Sequence, residues 1–183
     1  MTPFKPHAFA ELPAIFHNRQ TWDGFNNPSL VIENAQLKKE LGLKNIDSQA
    51  LLDIFNGVLP IEDLKPLSMA YAGHQFGQYV EQLGDGRGLL LGEIDSPDGL
   101  IDIHLKGAGK TPYSRFGDGR AVLRSVIREY LCGEAMHALS IPTSRALMII
   151  GSDEVVIREK SETAAMLART AKTHIRFGNF EYF

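Results

Sequence analysis

The sequence predicts an α+β fold: an antiparallel sheet of short strands carrying one long helix, entered through an N-terminal helical arm. Three observations predict it. First, Ile101-Asp102-Ile103-His104-Leu105-Lys106 alternates apolar and polar residues, the period of a half-buried strand. Second, Gly84-Asp85-Gly86-Arg87-Gly88 and Ser96-Pro97-Asp98-Gly99 divide the middle of the chain into short apolar runs joined by turn residues. Third, Val122, Val126, Ile127, Tyr130, Leu131, Ala135 and Leu139 recur at three- and four-residue spacings, the stripe of an amphipathic helix. With 183 residues the chain can bury a sizeable core. It divides on paper into an arm and helical extension over 1–78 and a sheet-and-helix unit over 79–183.

Taken in order, residues 1 to 30 are rich in Pro, Asn and aromatics and read as an extended arm laid on a body. Leu30-Val31-Ile32 is a short strand, and Asn34 to Leu41 a helix that stops at Gly42. Asp47 is placed to cap a second helix, Ser48 to Phe55, closed by Asn56-Gly57. Pro60 and Pro66 punctuate a connector, and Met69 to Gly77 resists assignment. Tyr79 to Leu83 and Leu89 to Glu93 flank the glycine turn as an expected hairpin, followed by the strand that ends on Lys106. Beyond an irregular loop, Asp118 is the expected N-cap of a helix over Ala121 to Leu139, which Pro142 ends. Arg145 to Ile150 and Glu154 to Glu159, split by Gly151-Ser152-Asp153, read as a second hairpin, and Ala164 to Ala171 as a strand.

Composition narrows the function classes. The chain is 44% hydrophobic and 22% charged, ordinary for a globular protein. No apolar run approaches the roughly 18 residues of a membrane span, and the N-terminus lacks the basic region of a signal peptide. The single cysteine, Cys132, permits no internal disulfide and reads as a buried, inert thiol. A cytoplasmic protein without a membrane partner is the expectation. The net charge of −3 argues against a general nucleic-acid binder. Six of the 19 Lys and Arg nevertheless fall between His104 and Arg128, with Asp118 the only acid among them. A basic focus on an acidic chain suits a compact anion, with a solvated helix face the alternative for Arg120 and Arg124.

In the strand, Ile101, Ile103 and Leu105 face a core, leaving Asp102, His104 and Lys106 on the other side. Lys106 at the strand end can place an ammonium on phosphate oxygens, and a carboxylate would fix it there. Glu129, about three turns into the helix, is the natural partner; Arg124 and Arg128 compete for it on its own helix. Glycine turn, strand lysine and helix glutamate, in the order meander, helix, further strands, follow the N-lobe of a protein kinase. The turn matches neither the dinucleotide fingerprint nor a P-loop, since position 104 is His where Gly109-Lys110-Thr111 would need Gly. Arg169 and Arg176 sit among apolar residues and call for an anion, either a ligand or an Asp or Glu of the chain. The histidines show no metal spacing; His74 and His104 read as hydrogen-bonded structural residues.

The strings Gly73-His74-Gln75-Phe76-Gly77, Gln82 to Gly88, His104 to Gly109, Thr111 to Arg115, Asp118 to Ser125, Ile127 to Glu129 and Arg176-Phe177-Gly178 resemble the selenoprotein O (YdiU) family of protein adenylyltransferases. The resemblance implies a kinase-like fold that transfers AMP from ATP to Ser, Thr or Tyr hydroxyls of proteins. It implies ATP bound reversed relative to kinases, with the α-phosphate toward the acceptor. Carried over by position, nucleotide contacts fall on Gly84, Gly86, Arg87, Lys106, Asp118, Gly119, Arg169 and Arg176, with Glu129 pairing Lys106. The two late arginines would hold the inward γ-phosphate. Family members are more than twice this length. The catalytic Asp and the residues holding Mg²⁺ or Mn²⁺ are therefore expected in a C-lobe outside this chain, with no catalytic residue and no metal ligand within it. Ile175, Phe177, Phe180, Tyr182 and Phe183 form an apolar tail that suits a partner lobe. The expectation is an N-lobe portion, inactive alone, acting with ATP, protein substrates and a C-lobe that a separate chain could supply.

Overall fold

The computed structural model describes residues 3–61 and 63–182. In chain order they form β1 (Phe4–Lys5), a 3-10 turn (Ala8–Glu11), β2 (His17–Arg19), β3 (Ser29–Glu33), α1 (Ala35–Glu40) and α2 (Ser48–Phe55). Then come β4 (Leu67–Met69), β5 (Gly73–Gln75), β6 (Gln78–Val80), β7 (Gly88–Ser96), β8 (Gly99–Lys106) and β9 (Ala121–Val122). The last are α3 (Leu123–Ala138), β10 (Arg145–Ile157), β11 (Ser161–Ala171) and α4 (Phe177–Glu181). A nine-stranded sheet runs β2-β4-β7-β8-β11-β10-β3, with β1 on β7 and β9 on β11. Its described pairings are antiparallel, so the α+β class holds.

Alternation along the strands sorts the core. Ile103 and Leu105 of β8 join Leu89 and Leu91 of β7 and Met166 of β11 against Leu51, Leu52 and Phe55 of α2. On the other face Ala165 and Leu167 meet Val126 and Tyr130 of α3. Asp47 Oδ2 accepts from the amides of Gln49 and Ala50, the cap that fixes where α2 begins. The α1 start is set likewise by Asn34, whose Oδ1 accepts from Leu37 N.

Four expectations need correction. Residues 79–83 do not form a hairpin with β7: β6 pairs with β5 in a separate two-stranded sheet, and the glycine turn is the connection from it into β7. Asp118 is not the cap of α3. Its Oδ1 accepts from Arg120 N, an Asx-type turn, and β9 intervenes before a helix whose N-cap, Val122, has no side-chain bond. Gly151-Ser152-Asp153 is not a hairpin turn but lies within continuous β10, where the register with β11 shifts between Gly151 and Val155. Cys132 is exposed, because only one side of α3 is covered: Val126 is buried, while Leu131 is 62% exposed.

The cap and the core can be ranked on α2. Asp47→Ala is expected to cost about 1 kcal/mol, and Leu51→Ala, at a fully buried position, about 2–5 kcal/mol. Urea unfolding of the two variants checks the order; a cap loss as large as the core loss would contradict it.

Candidate anion-binding site

Strand register brings the site together. In the β7–β8 pairing Gly88 lies opposite Lys106, so the glycine turn ends beside the lysine. In the β8–β11 pairing His104 lies opposite Arg169, on the same sheet face as Lys106. From above that face α3 lowers Glu129. Its Oε2 pairs with Lys106 Nζ and its Oε1 receives Arg169 Nη1 at 3.3 Å. Glu129 thus takes the strand lysine and not Arg124, which pairs with Glu162.

Arg176 arrives from the other end of the chain. It caps α4, which docks through Asn179 Nδ2 on Ala70 O at 2.8 Å. The Arg176 guanidinium lies 4.3 Å from the centroid of the Tyr71 ring, a cation–π contact. Its Nη2 stands 3.4 Å from Asp85 Oδ1. Asp85, in the middle of the glycine turn, is buried and also accepts from Met69 N at 3.1 Å. The turn itself is tied down from the basic loop, where Thr111 Oγ1 donates to Asp85 O and Ser114 Oγ to Gly86 O.

Gly86, Arg87, Lys106, Arg169 and Arg176 therefore line one cavity of about 210 Å³, together with Tyr71, Asp85 and His104. Four cations face it against the carboxylates of Asp85 and Glu129. The guanidinium of Arg87 makes no hydrogen bond or ion pair among the described residues, and Arg169 Nε has no partner there either. Asp118 and Gly119 do not enter this cavity. They line a neighbouring one of about 520 Å³ that shares Gly86 and Arg87. Gly84 lines a third, of about 720 Å³, sharing the same two residues. The Asp118 carboxylate is held by Arg158 at 2.7 and 2.9 Å. Gly84 and Gly119 have φ of +71° and +74°, and an added Cβ would fall 2.2 Å from Tyr113 Cγ and 2.1 Å from Gly109 C. Packing alone therefore demands glycine at both.

Burial and charge set the ionisation. Burial works against a charge on Asp85, but His104, Arg176 and the Met69 amide outweigh it and hold the carboxyl at about 2. Burial, reinforced by Arg169, pushes the His104 imidazole down to about 3, so it is neutral at pH 7. Burial also lowers Arg169, opposed by Glu129 and Asp85; a guanidinium stays charged regardless. Glu129 is lowered: burial opposes its charge, and Lys106 and Arg169 prevail.

Glu129 is shared between Lys106 and Arg169, and Asp85 pairs with Arg176 and faces the neutral His104. The one group of three ligand-type residues found among the described residues, His7, Glu93 and Asp102, lies elsewhere. His7 Nδ1 accepts from Phe9 N, which leaves the proton on Nε2, the atom facing Asp102 Oδ1 at 3.1 Å. A nitrogen carrying a proton cannot ligate. Sequence reasoning reached the lysine, the glutamate and both arginines, and missed Tyr71, Asp85 and His104. The signal for the last two was present: Asp85 stands inside the glycine string, and His104 shares the face of Lys106.

Fold and site together define an α+β domain whose sheet presents a cation-rich cavity. The chain belongs to the protein adenylyltransferase SelO family, whose model matches residues 2–183. It is similar to the protein nucleotidyltransferase YdiU of Vibrio parahaemolyticus, 54% identical over 177 residues, covering 96% of this chain and 36% of the relative. It is similar also to those of Thioalkalivibrio sulfidiphilus (51% over 180 residues, 97% of this chain, 37% of the relative) and Myxococcus xanthus (52% over 180 residues, 97% and 37%). The chain thus spans little more than a third of the length of these relatives. No helix among the described residues is long and apolar enough to cross a membrane.

The ionisation states give stability an acid limb. His104 has a folded value below its usual 6.5, so the unfolded chain takes the proton first. Its contribution is complete above about 6.5 and is lost as pH falls toward 3. His174, lowered by burial, acts with the same sign. Asp85 adds a further loss between its usual 3.8 and about 2. Urea unfolding from pH 7 to 4 should show wild type losing stability more steeply than His104→Phe. The difference expected is one proton, about 1.4 kcal/mol per pH unit; parallel profiles would rule out a neutral, buried His104.

Proposed function

We propose that this chain is the nucleotide-binding portion of a protein adenylyltransferase, built like the N-lobe of a protein kinase and unable to transfer AMP alone. The observation that carries the reading is the convergence of Lys106, Arg169 and Arg176 on one small cavity around Glu129 and Asp85. A kinase-type lysine–glutamate pair needs one cation; three, with Arg87 beside them, suit the terminal phosphates of a triphosphate driven inward. Asp118 lies on the far side of the Gly86–Arg87 turn. The Asp118 carboxylate, paired with Arg158, keeps lone pairs that can accept from a ribose hydroxyl or a base amine. Phosphates in the inner cavity and nucleoside toward Asp118 and Gly119 is the reversed orientation that leaves the α-phosphorus accessible. All of these contacts fall within 79–183.

In the reaction the acceptor hydroxyl oxygen bonds to the α-phosphorus as the α–β bridging P–O bond breaks, and pyrophosphate carries away the electron pair. Lys106 and the arginines stabilise the charge that grows on that pyrophosphate. The hydroxyl proton needs a base; both carboxylates at the cavity are engaged, so this reading gives the proton to the catalytic Asp expected in the C-lobe. A divalent metal would neutralise further phosphate charge, with ligands outside the residues described. Ser, Thr and Tyr of proteins are the acceptors this reading assigns, and the cytoplasm, where ATP is abundant, the compartment.

A second reading, an ATP-binding module that docks a separate C-lobe chain without catalysis of its own, rests on exposed apolar side chains. Phe177 and Phe180 on α4 are 88% and 75% exposed, and Leu131 on α3 is 62% exposed.

The test is [α-³²P]ATP offered to the chain alone and with the remaining two-thirds of a YdiU relative supplied as a second polypeptide. Protein labelling is expected only in the mixture, and Lys106→Ala should lower ATP affinity about tenfold or more, the loss of one charged hydrogen bond. Labelling by the chain alone would overturn its inactivity, label from the γ-position would indicate a kinase, and ATP binding without any transfer in the mixture would favour the second reading.

A further inference from the structure

We infer that Asp85 and His104 are positioning residues: a carboxylate–imidazole bridge that sets the orientation of both Arg169 and Arg176 toward the cavity. The role of the arginines as polyphosphate contacts rests on the function proposed above; the bridge itself rests on hydrogen-bond chemistry.

His104 is fully buried, and its Nδ1 lies 2.8 Å from Arg169 Nη2. A guanidinium can only donate, so Nδ1 carries the lone pair and the ring proton sits on Nε2. Nε2 faces Asp85 Oδ2 at 3.5 Å, a charge–dipole contact without a closed hydrogen bond, and has no hydrogen-bond partner among the described residues. The same carboxylate faces Arg176 Nη2 through Oδ1, while Met69 N anchors Oδ2. One buried acid therefore addresses Arg176 directly and Arg169 through a neutral ring.

The neutral ring has a physical purpose. Arg169 already meets Glu129, and a second carboxylate in direct contact would cancel the charge an anionic ligand needs. An imidazole acceptor fixes the plane of the guanidinium and adds no negative charge. The ring is held on two sides. His174 lies against it at 4.9 Å between centroids, itself tethered by Asp102 Oδ2 accepting from His174 N at 2.6 Å. Gly88 presses from the other direction, where an added Cβ would fall 2.4 Å from His104 Cε1. The last glycine of the Gly84–Gly88 string thus makes room for this histidine.

The experiment uses the full chain. Long-range ¹H–¹⁵N spectra of the wild type at pH 7 should show His104 neutral, with Nδ1 unprotonated and the proton on Nε2. They should show slow rotation of the Arg169 guanidinium. His104→Phe, which keeps the ring shape, should free that rotation; His104→Asn, whose Oδ1 can take the place of Nδ1, should restrain it again. Gly88→Ala, which keeps both bridge residues in the sequence but drives a Cβ against the His104 ring, should behave like His104→Phe. With Mg·ATP as probe, His104→Phe and Gly88→Ala should weaken binding by about tenfold, and His104→Asn should recover most of it. A proton on Nδ1, or an Arg169 signal indifferent to His104→Phe, overturns the bridge. So does undiminished ATP binding by His104→Phe when Lys106→Ala has lost it. If wild type binds no ATP, or Lys106→Ala binds as wild type does, the nucleotide reading fails instead, and the spectra still decide the bridge.

Discussion

Repulsion between Arg169 and Arg176, which share a cavity with Lys106 and Arg87, is the constraint on which the arrangement of this molecule turns. Two like charges 4 Å apart oppose one another by about 4 kcal/mol at the effective dielectric of a protein surface. Two shared carboxylates offset the crowding: Glu129 serves Lys106 and Arg169, and Asp85 serves Arg176 and faces His104. Each carboxylate comes from a different element, so the charge balance also fixes where those elements lie. α3 must bring Glu129 down over β8, the glycine turn must fold Asp85 beneath β4, and α4 must return Arg176 across Tyr71. Because neutralisation is incomplete, a positive remainder faces the cavity.

The sheet supplies this geometry through register rather than through loops. Gly88 opposite Lys106 and His104 opposite Arg169 are pairings of an antiparallel ladder, fixed by which face of each strand is apolar. Ile103 and Leu105 on one side and Met166 and Ala168 on β11 lock that register into the main core. A slip of one residue would bury Lys106 against α2 and expose Leu105. The core therefore specifies the site, although of the site's residues only Tyr71 packs against a core cluster.

Elements with local chemistry at both ends were legible to the residue. α2 runs from the Asp47 cap to Asn56-Gly57, as its sequence says. The β8 alternation and the Lys106–Glu129 pairing were legible too, because period and helix spacing are local properties. Illegible were features where one local signal serves two structures. Asp118 binds an amide two residues on, which marks an Asx turn as readily as a helix cap. Gly151-Ser152-Asp153 has turn composition, and a register shift within a strand uses the same residues. The glycine turn announces a bend without naming what pairs beyond it, so β6 was assigned to β7 when its partner is β5. Exposure of Cys132 depends on how much of α3 other elements cover, which no local pattern states.

The glycines separate two kinds of evidence for a ligand. Gly84 and Gly119 fall among the nucleotide contacts the family resemblance carries over, but their positive φ and the missing space at Cβ already require glycine without any ligand. Loss of binding on substituting either would report a displaced Tyr113 or Gly109 as much as a lost phosphate contact. The cations are different. No packing rule places Lys106, Arg169 and Arg176 at one cavity beside the exposed Arg87, and folding would be easier with fewer, since each charge taken from water must be desolvated and paired. An arrangement that opposes folding and is nonetheless built, with two shared acids and a neutral histidine to hold it, points to an anion by its cost. That makes the lysine and the arginines, rather than the glycine string, the physical signature of the nucleotide reading.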